Sequence, residues 1–322
     1  MLVLESAASA APVYIALGDS ITFGETDLNY VQSYGDRGYV GDFASYLASQ
    51  NGGVRPSVIN LAIDGETASS FVTNAGRTPP VVGRGDAPLQ TENQNYNNST
   101  AISQSQAFAN EVAGQVAAGN AISTISLTLG FNELAALAPT QNTPAAEAAA
   151  VAQLPATLAA FRANDTAVLN QIRTLAPNAT LYLNGYYNPF QVDPSSPAAP
   201  VFAAGGTELN SVIQSLAAQY GGIYVDNATP FQGNEAAYTY QAALPAGSSV
   251  SGAYGGTLPI GDVHPNAVGY QVIANDMEAA TVTGATGAGT AVPEPATWAV
   301  LLTGLMIAGG VSLRRRQPRT IS

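Results

Sequence analysis

The sequence predicts an α/β fold in which a parallel sheet is covered by helices on both faces. Three observations predict it. Short runs rich in β-branched, leucine and aromatic residues alternate with longer stretches of helical periodicity. Glycine or aspartate ends several of the short runs, and proline or glycine ends two of the long ones. Hydrophobic residues make up 46% of the 322 positions, enough for the core of one large domain.

Taken in order, the first strand is expected over 13–17, Val-Tyr-Ile-Ala-Leu, and stops at Gly18. A second run, 58–63, ends before Asp64-Gly65, and a third, 122–129, alternates apolar and hydroxyl residues before Gly130. The fourth and fifth are 180–183 and 223–225. Helical periodicity falls at 40–49, 106–118, 154–176, 208–220 and 267–280, with Pro177-Asn178 and Gly221-Gly222 as stops for the third and fourth. Such alternation of β and α argues for a parallel sheet. Residues 77–105 and 231–261 break the rhythm and read as long loops. Their uncharged amide, hydroxyl and aromatic content suits a sugar or another neutral polar substrate, or serves as solvated filler. No internal repeat is present.

Charged residues are only 10% of the chain, and the formal net charge is −12. Lysine is absent, and four of the ten arginines (Arg314, Arg315, Arg316 and Arg319) crowd the C-terminus, so the body is more acidic than the net charge suggests. A field of that sign excludes a nucleic-acid partner. With no cysteine, disulfides, a thiol nucleophile and thiolate metal sites are excluded as well.

The ends carry location signals. Ala7-Ala8-Ser9-Ala10-Ala11-Pro12 reads either as the cleavage region of a residual signal peptide over 1–12 or as an Ala-rich arm. A Gly/Ala/Thr linker over 281–292 leads to Pro293-Glu294-Pro295, an apolar run 296–313 and then Arg314-Arg315-Arg316. That run matches the shortest helix able to cross a bilayer, with Trp298 at an interfacial position and the arginines left on the cytoplasmic side. The alternative, a buried helix, fits poorly between such a linker and a cationic cluster. The segment 293–322 resembles the PEP-CTERM sorting signal of Gram-negative bacteria. The resemblance implies export, a membrane-spanning helix before processing, an exosortase partner and residence in the cell envelope or secretion with exopolysaccharide.

Reactive groups in α/β sheets collect beyond the carboxyl ends of strands. Gly18-Asp19-Ser20 follows the first strand, Asp64-Gly65 the second, and Gly130-Phe131-Asn132-Glu133 the third. Asp262-Val263-His264-Pro265 precedes the last helix, and His264 is the single histidine of the chain. Alone, each fragment is equally a turn or a helix cap. Together they offer a serine nucleophile, one base to activate it, and a glycine amide and a carboxamide as oxyanion donors.

In order and content these blocks resemble the SGNH, or GDSL, hydrolase superfamily, over about 13–280. The resemblance implies a three-layer α/β/α sandwich with a five-stranded parallel sheet of flavodoxin-like order. It also implies ester hydrolysis through an acyl-enzyme, without metal or organic cofactor. Carried over, Ser20 is nucleophile and first oxyanion amide, Gly65 the second amide, Asn132 the side-chain donor and His264 the base. Two positions depart from the family pattern. Glu133 replaces an aspartate, at a position expected to be structural. Position 261, where the family places the aspartate that orients the histidine, is glycine, so Asp262 is the nearest candidate. A backbone carbonyl or a more distant acid is the alternative orienting group. The expected substrate is a small-molecule or polysaccharide ester, acyl or acetyl groups on exopolysaccharide or a lipid-like ester. A non-catalytic exopolysaccharide-binding surface protein on the same fold is the competing expectation.

Overall fold

The computed structural model describes residues 11–24, 36–75, 102–240, 250–251, 257–258 and 263–286. The chain divides into two compact units, 1–283 and 284–322; the described residues belong to the first unit apart from the last turn of the final helix. The run 296–313 lies outside the described residues, as do residues 1–10 of the signal-like region 1–12, whose last residue, Pro12, opens the first strand. Among the described residues no helix is long and apolar enough to cross a membrane.

Five strands form one all-parallel sheet: β1 (Pro12–Gly18), β2 (Ser57–Asn60), β3 (Ala121–Thr128), β4 (Thr180–Asn184) and β5 (Ile223–Val225). Their spatial order is β2-β1-β3-β4-β5, the flavodoxin-like order expected from the resemblance. Val13 to Leu17 are completely buried, as a central strand covered on both faces requires. The hydroxyls in the second half of β3 face no solvent. Ser126 and Thr128 are buried, and Tyr14 Oη lies 2.8 Å from Ser126 Oγ and Tyr39 Oη 3.2 Å from Thr128 Oγ1. The hydrogen bonds remove the cost of burying these groups.

On one face lie α2 (Gly38–Gln50) and α11 (Ala267–Thr286). Phe43 of α2 meets Tyr14 and Tyr182 edge-on, with ring centroids 5.9 and 5.1 Å apart, and Tyr182 Oη lies 2.8 Å from Thr281 Oγ1 of α11. The other layer holds α3 (Ala68–Thr73), α4 (Gln104–Ala117), α7 (Leu154–Leu175) and α8 (Ala199–Gln219), with α7 packed on the other three. Short helices fill the connections: α1 (Ser20–Phe23), α5 (Phe131–Ala135), α6 (Pro144–Val151), α9 (Ala228–Phe231) and α10 (Glu235–Tyr238). The stretch 231–261, expected as one long loop, holds α10 and a two-stranded antiparallel hairpin, β6 (Val250–Ser251) with β7 (Thr257–Leu258).

Helix α8 begins nine residues before the expected start at Glu208, because Pro200 occupies the first turn, where no amide partner is needed. Within it Gly205 is no break. A Cβ there would sit 2.6 Å from Leu154 Cδ2, so the glycine lets α8 approach the start of α7.

Layer α7 contains one expensive residue. Asp165 is 2% exposed, its Oδ1 has no hydrogen-bond partner, and burial pushes its carboxyl up to about 8, with the charge of Glu133 adding to the rise. Unfolded, the group titrates near its ordinary 3.8. Between those values the fold holds a proton that the unfolded chain releases. This contribution to stability is therefore full below about 4 and lost as pH rises through about 8. Asp165→Asn stays neutral throughout. Its melting temperature relative to the parent chain should improve by at least roughly 3 °C between about pH 5 and pH 8.5, the change that ~1 kcal/mol produces in a domain of this size. Calorimetry at the two pH values measures the difference, and a constant offset would contradict the assignment.

Candidate active site

The site begins where β1 ends. Gly18 has φ 134°, and a Cβ there would lie 2.2 Å from the Thr128 carbonyl oxygen, so only glycine lets the end of β1 pass the end of β3. The buried Gln104 side chain holds both polar groups of Gly18: the Gly18 amide donates to Oε1 at 2.7 Å, and Nε2 donates to the Gly18 carbonyl at 2.9 Å. Asp19 then caps α1, accepting from the Ile21 amide at 3.1 Å, and Ser20 is the first residue of that helix.

The second and third strand ends converge beside it. Asn132, near the start of α5, donates through Nδ2 to the Glu66 carbonyl at 2.8 Å, next to Gly65, whose φ of 70° forms the turn after β2. Glu133 reinforces the junction by accepting from the Ala68 amide, at the start of α3, at 2.7 Å. It thus bonds the third block to the second, in keeping with the structural role expected for it. Burial pushes its carboxyl up to about 7, an effect partly offset by the Ala68 amide.

His264 arrives from the far end of the chain. Its Nε2 lies 2.7 Å from Ser20 Oγ, and both residues are largely buried, at 7% exposure. With the ring proton on Nδ1, the serine hydroxyl donates to Nε2. Several contacts fix the segment. Tyr187 Oη donates to the Val263 carbonyl at 2.8 Å, the Asn266 amide donates to the Tyr238 carbonyl at 2.8 Å, and Asn266 Oδ1 accepts from the Gly269 amide to cap α11. At Gly269 a Cβ would lie 2.1 Å from the Tyr238 carbonyl, so glycine permits the close docking of the helix that follows the histidine.

Ser20 and His264 are therefore in contact, Asn132 is bonded to the residue after Gly65, and Asp262 lies outside the described residues. Sequence reasoning missed Tyr186, Gln104 and Asp19. Tyr186 Oη donates to Asp19 Oδ2 at 2.5 Å from the end of β4. Burial pushes Asp19 up to about 7, partly offset by the Tyr186 and Ile21 hydrogen bonds and by the charge of His264. No sequence signal ties a tyrosine to an aspartate 167 positions away. Among the described residues no group of three or more His, Cys, Asp or Glu is arranged to hold a metal ion.

Residues 16–272 match the model of the GDSL-like Lipase/Acylhydrolase family. The chain belongs to that family. As a GDSL-like lipase/acylhydrolase it is a carboxylic ester hydrolase. Among solved structures, a lipase from goat rumen metagenome aligns over 84% of this chain and 97% of its own, with 17% identity and a TM-score of 0.51. An extracellular lipase from Streptomyces rimosus aligns over 84% and 100%, with 21% identity and a TM-score of 0.50. Both likenesses show the fold. A comparison with curated proteins gives no match.

The hydrolase's Tyr186–Asp19 bond has a directional consequence. The tyrosine O–H stabilises the carboxylate form, so Tyr186→Phe should move the Asp19 titration above about 7. Carbonyl-detected NMR of the protein labelled with ¹³C aspartate follows that midpoint; an unchanged or lower midpoint would refute the coupling.

Proposed function

We propose that the protein is an extracytoplasmic serine esterase that cleaves acyl esters, among them acetyl esters of exopolysaccharide or lipid-like esters, through an acyl-enzyme. One observation carries the catalytic part: the only histidine of the chain stands 2.7 Å from the hydroxyl of Ser20, at the head of a family block. His264 takes the Ser20 proton as Oγ attacks the ester carbonyl carbon, and the resulting imidazolium returns that proton to the departing alcohol. In the second half His264 takes a proton from water as the water attacks the acyl-serine. The proton then goes to Ser20 Oγ as the acid leaves.

The negative oxygen formed in each half is met by the amides of Ser20 and Gly65 and by Asn132. One N–H of the Asn132 carboxamide is committed to the Glu66 carbonyl, which orients the side chain and leaves its second N–H for the oxyanion. The carboxyl of Asp19 lies within electrostatic range of His264, and its ionised form favours the imidazolium. Asp262, two residues before the histidine, is assigned to orient the ring.

The location is argued from the two ends. A residual cleavage region and a Pro-Glu-Pro, apolar, arginine-rich tail in that order support export, with an exosortase-type enzyme acting on the tail and membrane tethering before it does.

Turnover of p-nitrophenyl acetate should disappear in Ser20→Ala with the melting temperature preserved, and a variant retaining the parent rate would end the assignment. Asn132→Ala should lower kcat by roughly a hundredfold to a thousandfold if the carboxamide meets the oxyanion. In a host that carries an exosortase, intact-mass measurement of the mature protein should show the chain shortened near Pro293-Glu294-Pro295. Recovery of the full C-terminus would reject processing.

A further inference from the structure

Beyond the end of β4, a cavity of about 440 Å³ lies between α8 and the segment running through α9 to Glu235. That volume falls in the roughly 300–1,000 Å³ range of small-ligand sites. Its walls are tied to both catalytic segments. Tyr186 bonds Asp19, the residue before the nucleophile, and Tyr187 bonds Val263, the residue before the base.

The lining is unusual for an accidental gap. Glu235 is 2% exposed, yet among the described residues its carboxylate takes no hydrogen bond and no ion pair. Its oxygens are not sealed off within the protein, so a ligand in the cavity can donate to them. Around it stand the carboxamides of Gln191 and Gln232, which donate as well as accept, and Phe202 provides an apolar wall. Among the described residues no arginine lines the space.

We propose that this cavity is a binding subsite for a neutral polyhydroxylated group, one sugar unit of the size of a pyranose, with Glu235 accepting hydroxyl hydrogens. A carboxylate can accept from two neighbouring hydroxyls at once, and each hydroxyl also accepts from a carboxamide. An organic cation would satisfy Glu235 but leave the carboxamide donors without acceptors, so a polyol fits the whole lining better. The assignment names the alcohol part of the ester and rests for that use on the esterase reading above. Binding itself is independent of turnover.

The experiment uses the full chain carrying Ser20→Ala, titrated with methyl β-D-glucoside, methyl β-D-galactoside and, separately, choline, and followed by ligand-detected NMR. At least one glycoside should bind, and its affinity should fall tenfold or more when either Glu235→Gln or Gly206→Leu is added. Gly206 lines the cavity, and a Cβ there meets nothing within 4 Å, so a side chain can start from this position without a backbone clash. It also replaces glycine inside a helix, which favours folding. Absence of glycoside binding, a loss in only one or neither variant, or binding of choline with no glycoside bound would overturn the proposal. Because the parent chain's rate on p-nitrophenyl acetate is measured separately, failure of the esterase reading and failure of the subsite give different results.

Discussion

The crossing of two strand ends governs this molecule. At Gly18 the end of β1 runs against the carbonyl of Thr128, at a separation that no side chain would allow. Parallel strands ordinarily fan apart in loops beyond their carboxyl ends. Here the two outer loops start from one point, and the Gln104 carboxamide bonds both backbone groups of Gly18, whose carbonyl also accepts from the Ile63 amide. Ser20 then opens a short helix directly over the sheet, at the β1/β3 switch point, with Asn132 just beyond the other strand of the pair. A β-carbon at position 18 would push the two ends apart and separate the groups that share the site.

A second theme is the amount of acid held under the site. Asp19, Glu66, Glu133 and Asp165 are all buried or nearly so, and each of the three whose titration is displaced is pushed upward, chiefly by burial. Specific donors meet part of that cost: Tyr186 for Asp19, the Ala68 amide for Glu133, and Gln104 together with the Ser70 hydroxyl for Glu66. Carboxyl groups of this kind convert a change of pH into a change of packing free energy near neutrality. Because β1 lies between β2 and β3, the second and third blocks meet through the side chains of Asn132 and Glu133 and not through strand pairing.

The strand positions were legible in the sequence for a physical reason, whereas their order came only with the family resemblance. A central parallel strand is apolar on both faces and punctuated at its end, so residues 13–17 stand out before Gly18, while 122–129 shows a strand's alternation before Gly130. The short helices were not legible. Helix α3 spans six residues and is fixed by a Thr67–Ser70 capping box; α6 spans eight residues with only Ala150 buried. Neither is long or amphipathic enough to show a period. Pairings such as Tyr186 with Asp19 were equally invisible, because they depend on which side chains the sheet order brings together. For Asp262, spacing alone cannot say where the side chain points.

The nucleophile and its base stand 244 positions apart, and the helix that follows the histidine is the last of the domain. Ser20 is therefore made long before His264. Until α11 docks, with Gly269 tucked against Tyr238, the serine has no proton acceptor, since the chain holds no other histidine. A nascent polypeptide of this design is chemically silent towards the esters around it. It becomes a hydrolase only in the final step of its own assembly.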